Sequence, residues 1–118
     1  MRIISGDHKG RPIKRVNKKT TRESADMVRE SVFNMLYGRT FNYVLDLFAG
    51  SGSYGLEALS RGANYLYAVD NDSDAIKTVF ENAKILDVVE RMTIIERDYD
   101  QFLDDIGSIF IDLVFVDP

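Results

Sequence analysis

The spacing of apolar and polar positions along this chain changes character near residue 43. Before it, two short β-branched stretches, Arg2-Ile3-Ile4 and Pro12-Ile13-Lys14-Arg15-Val16, flank a turn bounded by Gly6 and Gly10, the pattern of a small hairpin. A hydroxyl-rich run from Thr20 to Ser24 follows, in which Thr21 or Ser24 is placed to cap a helix. Val28, Val32, Met35 and Leu36 then recur at helical spacing with Phe33 beside them, and Gly38 ends the run.

From Tyr43 the chain alternates between strand and helix. Tyr43-Val44-Leu45-Asp46-Leu47-Phe48 is a continuous apolar run broken by one acid, followed at once by Ala49-Gly50-Ser51-Gly52 and a helix-like stretch over 53–61. A second strand, Tyr65 to Val69, closes on Asp70. Asp72 or Ser73 then caps a helix that lines up Ala75, Ile76, Val79, Phe80 and Ala83. A third strand, Met92 to Ile95, ends near Asp98, and an amphipathic helix through Phe102, Leu103 and Ile106 leads to a fourth strand, Asp112 to Val116. This rhythm predicts an α/β fold of the Rossmann-like kind, a doubly wound parallel sheet with helices on both faces. The fourth strand is expected beside the first, in the interior of a larger sheet, so the stretch ending at Asp117-Pro118 reads as the front part of a longer protein.

Composition narrows the chemistry. The 118 residues make one domain, with no cysteine for a disulfide or zinc–thiolate site and only one histidine, His8, for a triad or metal cluster. No apolar run is long enough to span a membrane, and the start lacks the apolar core of a signal peptide, so a cytoplasmic setting is expected, with no metal and no membrane partner. The net charge of -4 hides a division. Residues 1–22 carry eight Lys or Arg against one acid, whereas the rest holds seven basic and eighteen acidic residues. The division suggests a basic N-terminal arm or hairpin (1–22) on an acidic body (23–118). Such an arm suits a polyanion.

Gly50-Ser51-Gly52-Ser53-Tyr54-Gly55 forms G-x-G-x-x-G at a strand-to-helix junction, with Asp70 at the end of the next strand. This is the nucleotide-cofactor fingerprint: the glycines admit close backbone approach and the acid binds ribose hydroxyls. Asp46 bears on which cofactor. A carboxylate there would repel a pyrophosphate at the helix N-terminus and would suit the ammonium and sulfonium of S-adenosylmethionine. Asp98 is placed to accept from an adenine amino group or to cap the helix that follows it. An NAD-dependent oxidoreductase remains the alternative enzyme, and an RNA-binding module with a degenerate pocket the alternative without catalysis.

These motifs carry a family resemblance. Gly6-Asp7-His8-Lys9-Gly10-Arg11-Pro12-Ile13, Thr21-Arg22 with Asp26 to Leu36, and the stretch from Asp46 to Ala63 resemble the RsmD family, bacterial methyltransferases of guanine N2 in 16S ribosomal RNA. The resemblance implies a class I S-adenosylmethionine-dependent fold, with 16S rRNA as partner, in the 30S subunit or an assembly intermediate. It implies a cofactor pocket of Asp46, Gly50, Gly52, Asp70 and Asp98, and with them Phe48, Ala49, Ser51, Asn71 and Tyr99. Asp117 and Pro118 would open the family's Asp-Pro-Pro-Tyr motif, which holds the target amine, and are the expected catalytic pair. Lys9, Arg11, Lys14, Arg15, Arg22 and Arg29 are the expected phosphate contacts. The chain departs from the family at Glu23-Ser24, where Pro-Thr is usual. Since only half of the amine-binding motif lies within the 118 residues, this stretch alone is expected to transfer no methyl group.

Overall fold

The computed structural model describes residues 1–16 and 26–118. Thr21, Ser24 and Arg22, expected as helix caps and an RNA contact, lie outside the described residues, as does the boundary drawn at 22/23. The elements run α1 (Asp26–Met35), β1 (Tyr43–Asp46), α2 (Ser53–Ser60), β2 (Tyr65–Asp70), α3 (Ser73–Ile85), a 3-10 turn (Val89–Arg91), β3 (Met92–Glu96), α4 (Tyr99–Asp105) and β4 (Leu113–Phe115). The four strands form one parallel sheet in the order β3-β2-β1-β4. The chain winds outward from β1 to β3 and then returns to the other side of β1. That reversal makes the carboxyl ends of β1 and β4 a topological switch point, where open α/β sheets bind ligands.

The two directions of winding place the helices. Val44, Leu66, Ala68 and Phe115 face one side of the sheet and pack with Leu56 and Leu59 of α2, Val79 and Ala83 of α3, and Phe33 of α1. Leu45 and Val69 face the other side, with Leu47 beyond the end of β1, and meet Phe102 of α4. Alternate strand residues thus serve alternate cores. Asp72 caps α3 as expected, its side chain accepting from the Asp74 N–H. Leu47 and Phe48 fall outside β1, although the Leu47 N–H still donates to the Phe115 carbonyl at 3.2 Å.

The first helix buries a different stripe from the one its apolar spacing suggests. Arg29 and Phe33 are its buried residues, whereas Val28 and Met35 are exposed. The hairpin exists as one antiparallel bridge, Arg2 to Pro12, reinforced by backbone bonds between Ile3 and Arg11, Gly10 and Ile3, and Ile13 and Met1. Ile3 and Ile13 join the core beneath α1, α2 and α3, so the basic segment is seated on the body through its apolar side chains.

Candidate functional site

The glycine loop lies at the carboxyl end of β1 because two backbone conformations there suit glycine. Gly50 and Gly52 have φ of 55° and 86°, in the left-handed region that a side chain makes costly. Their neighbours explain the rest. A Cβ on Gly52 would stand 2.5 Å from Val79 Cγ2, and one on Gly55 would stand 2.5 Å from Leu66 Cδ1. The second and third glycines therefore let α2 press against α3 and β2. A side chain at Gly52 would strike α3.

Asp46 holds this turn from below. Gly52 occupies the N-cap of α2 and has no side chain to cap with, and Asp46 fills that role from β1. Its carboxylate accepts from the backbone N–H groups of Gly55 and Phe48. The side chain is buried, and desolvation pushes its pKa up to about 7, partly offset by those two hydrogen bonds and reinforced by the fields of Asp70 and Asp117. The loop-amide role and the cofactor role are compatible at Asp46, since a carboxylate has about four lone-pair sites.

Asp70 is the second anchor. Its Oδ2 accepts from the Gly50 N–H at 2.9 Å and its Oδ1 from the Asp72 N–H at 2.9 Å, so one carboxylate ties the glycine loop to the start of α3. Beside it the Asn71 Nδ2 donates to Asp98 Oδ1 at 2.8 Å. Asp98 is the N-cap residue of α4 but makes no side-chain cap bond. Phe48 and Tyr99 face one another across the same rim, with ring centroids 5.2 Å apart. Ala49 and Ser51 are buried in the loop, and Asp117 and Pro118 stand exposed beyond β4. The rim thus gathers four carboxylates, two aromatic rings and a turn of backbone amides, a donor set suited to a small cationic ligand with an aromatic base. Among the described residues no group of His, Cys, Asp and Glu could hold a metal ion, and no helix is long and apolar enough to cross a membrane.

The basic residues divide. Lys9, Arg11, Lys14 and Arg15 are exposed on the hairpin. Arg11 donates to the Ile85 carbonyl at 2.6 Å, and Lys14 bridges Glu81 at 2.9 Å, so both lie along α3. Arg29 must be withdrawn from the phosphate contacts. It is 0% exposed, donates to the Arg2 carbonyl, and has Nε 3.8 Å from Glu57 Oε1, which is equally buried. A guanidinium enclosed in this way holds the hairpin to α1 and α2.

Buried polar groups that the apolar pattern did not single out form the seat of the hairpin. Glu57 accepts from the N–H groups of Ile4 and Ser5 at 2.9 and 3.1 Å and from Arg61 Nε at 2.8 Å. Ser60 Oγ donates to the Ser5 carbonyl and accepts from the His8 N–H. Asn82 on α3 bonds the backbone of Lys14 and of Ser51. Their one signal in the sequence is a polar residue on an otherwise apolar helix face. A cavity of about 340 Å³ opens elsewhere, at the amino ends of the strands, lined by Phe33, Leu36, Phe41, Arg61 and Leu113. It contains none of the expected cofactor residues and lies at the opposite edge from the glycine loop.

Comparison with known proteins agrees with the geometry. The family described as Conserved hypothetical protein 95 matches residues 1–118. The chain is 46% identical over 105 residues to the Bacillus subtilis protein named "Putative rRNA methyltransferase YlbH", covering 87% of this chain and 56% of that protein. It is 34% identical over 119 residues to "Ribosomal RNA small subunit methyltransferase D" of Escherichia coli, covering all of this chain and 59% of that one. Among solved structures, "Putative methyltransferase yhhF from Escherichia coli" superimposes with a TM-score of 0.84 at 32% identity, over all of this chain and 63% of the other. The chain therefore spans less than two thirds of the length of these relatives.

Proposed function

This chain belongs to the conserved hypothetical protein 95 family and has the class I methyltransferase fold, and from that premise we propose that the protein to which it contributes methylates the exocyclic N2 amine of a guanine in 16S ribosomal RNA. The observation that carries the reading is the buried carboxylate of Asp46 at the switch point, under the glycine loop and within the fields of Asp70 and Asp117. Such a site repels a pyrophosphate and attracts a cation, which favours S-adenosylmethionine over a nicotinamide dinucleotide.

Each residue then has a role set by its place. Asp46 faces the cationic end of the cofactor, and Asp70, already oriented by Gly50 and Asp72, accepts from ribose hydroxyls. Asn71 and Asp98 recognise the base edge, and Phe48 and Tyr99 flank the ring. When bound, S-adenosylmethionine supplies a methyl group on an electron-poor sulfonium. Catalysis by the protein is then mostly positioning. The lone pair of the guanine amine is delocalised into its ring. Asp117 and the Pro118 carbonyl accept its hydrogens, turn the nitrogen toward the methyl group and favour the pyramidal form. Asp117 takes up the proton as the new bond forms, when that proton becomes acidic. A guanine in a helix cannot reach this rim, so the base is presented unpaired or flipped. In this reading Lys9, Arg11, Lys14 and Arg15, exposed on the hairpin, hold the surrounding phosphates, and the partner is 16S ribosomal RNA in the 30S particle or an assembly intermediate, in the cytoplasm.

The test is transfer of labelled methyl from S-adenosylmethionine by the intact protein to 16S rRNA and to 30S particles. N2-methylguanine in the digested product is the expected result. Label at another atom, or none with either substrate while the cofactor binds, would overturn the assignment.

A further inference from the structure

The buried polar contacts of the hairpin meet the cofactor loop at one side chain. Asn82 lies on the inward face of α3 between Val79 and Ala83 and is 0% exposed. Its Oδ1 accepts from the Lys14 N–H at 2.7 Å, and its Nδ2 donates both to the Lys14 carbonyl and to the Ser51 carbonyl, each at 2.9 Å. The first two bonds pair with the hairpin backbone as a neighbouring strand would. The third grips the glycine loop between Gly50 and Gly52. A carboxamide has two donor hydrogens and an acceptor oxygen, and here both hydrogens and the oxygen are engaged. Aspartate has the shape without the donors, and leucine has a similar branched shape with neither donor nor acceptor. Loss of the amide would leave the buried Ser51 carbonyl and the part-buried Lys14 carbonyl and N–H without this partner.

The hairpin has a separate attachment. Its first strand is fastened to α2 through Glu57 and Ser60, on Ile4, Ser5 and His8. Removing the Asn82 amide would thus leave the hairpin docked and sever the link between its second strand and the glycine loop. That link joins the two surfaces that the proposed function assigns to different ligands, and the inference rests on that assignment.

We propose that Asn82 is a positioning residue that couples the basic hairpin to the cofactor loop, so that RNA and cofactor reinforce each other's binding. Phosphates held by Lys14 and Arg15 restrain the backbone that Asn82 pairs with. The same amide then restrains the Ser51 peptide, leaving less freedom for the cofactor to remove. Linkage makes the effect reciprocal: ordering of the loop by cofactor restrains Lys14 to the same degree.

The experiment measures the affinity of the intact protein for S-adenosylhomocysteine by calorimetry, with and without a saturating 16S rRNA fragment containing the target guanine. RNA tightens cofactor binding by about fivefold or more in the parent protein, the lower range of allosteric coupling. In Asn82→Ala the ratio falls to about one, while the salt dependence of RNA binding is kept. A parent ratio of one, or an unchanged ratio in the variant, overturns the proposal. If Asn82→Ala does not fold, hydrogen exchange on the parent protein decides. S-adenosylhomocysteine should slow exchange of the Lys14 amide, which is bonded to Asn82, and unchanged exchange there overturns the coupling. Failure of the underlying function looks different: the parent protein then binds no S-adenosylhomocysteine, or no RNA, at all.

Discussion

The glycine-loop rim and the hairpin carry opposite charge and handle it in opposite ways. At the rim, acid is drawn inward: Asp46 is 2% exposed, and Asp70 spends both oxygens on backbone amides. On the hairpin the backbone is the inward partner, Lys9 and Arg15 are exposed, and Arg11 and Lys14 make only exposed contacts, with the Ile85 carbonyl and Glu81 of α3. A buried carboxylate acts by contact, on a small ligand placed at hydrogen-bond distance. Exposed cations act through a screened field and through release of counterions from a polyanion. Substitutions in the two regions should therefore differ in kind, with stability and ligand affinity changing at the rim and its support, and salt dependence changing at the hairpin surface.

The largest effect is expected beneath the hairpin. Glu57→Ala leaves the enclosed Arg29 without its buried counter-charge, and breaking a buried pair typically destabilises by about 3–5 kcal/mol. Urea unfolding of the intact protein measures it, and a loss below about 1 kcal/mol, the value of a surface pair, would mean that Arg29 is satisfied elsewhere. Next comes Gly52→Val. Its Cβ would meet Val79 Cγ2 at 2.5 Å from a backbone with φ of 86°. Overpacking of that kind typically destabilises by about 1–3 kcal/mol. A lowered melting temperature in the absence of any cofactor is expected, because the collision is with α3.

How well each region can be read from its residues follows from the range of the contacts that build it. Asp46, Gly50 and Asp70 declare themselves because strand, turn and helix follow one another directly, and a strand-end acid needs only its own strand to place it. The same locality makes the strands β1 to β4 legible one by one, whereas the pairing of β4 with β1 joins distant segments and follows from the doubly wound topology. Arg29 does not declare itself. Its place on the helix suggests a solvated charge until Glu57, from a different element, is brought beneath it. The buried face of α1 departs from its apolar spacing for the same reason: Val28 and Met35 satisfy helical spacing, but the body offers its contacts to Arg29 and Phe33. Asn82 sits at a core position that a residue-type pattern reads as an interruption, and its partners are backbone groups of distant segments.

A third prediction separates the acids of the rim by pH. Unfolded chain ionises an aspartate near 3.8, whereas the folded chain holds the Asp46 proton up to about 7. The folded state therefore binds this proton more tightly. The contribution of Asp46 to stability is fully present below the unfolded value, declines as pH rises toward 7 and is flat above it. Asp46→Asn should remove that slope in the cofactor-free protein, as read by denaturant unfolding at pH 5 and pH 8. An equal slope in both proteins would assign the titration to another group.

The hairpin supplies the smallest effect per residue. Replacing Lys9, Arg11 and Arg15 by alanine should lower the slope of log affinity against log salt by about 0.7–0.9 for each phosphate that is no longer neutralised. Cofactor affinity in the absence of RNA should be unchanged. A constant slope would leave these side chains as solvated charges with no bound phosphate.

The contrast between an acidic rim and a basic hairpin meets its most direct test in calorimetry of the intact protein at pH 8. S-adenosylmethionine and NAD⁺ are titrated separately into the parent protein and into Asp46→Asn. A cationic ligand should bind the parent protein and weaken by about 1–3 kcal/mol in the variant, the usual effect of losing a charged hydrogen-bond acceptor, and NAD⁺ should give no saturable heat. Binding of NAD⁺ by the parent protein, or S-adenosylmethionine affinity indifferent to Asp46, would contradict the account of what the buried acid is for.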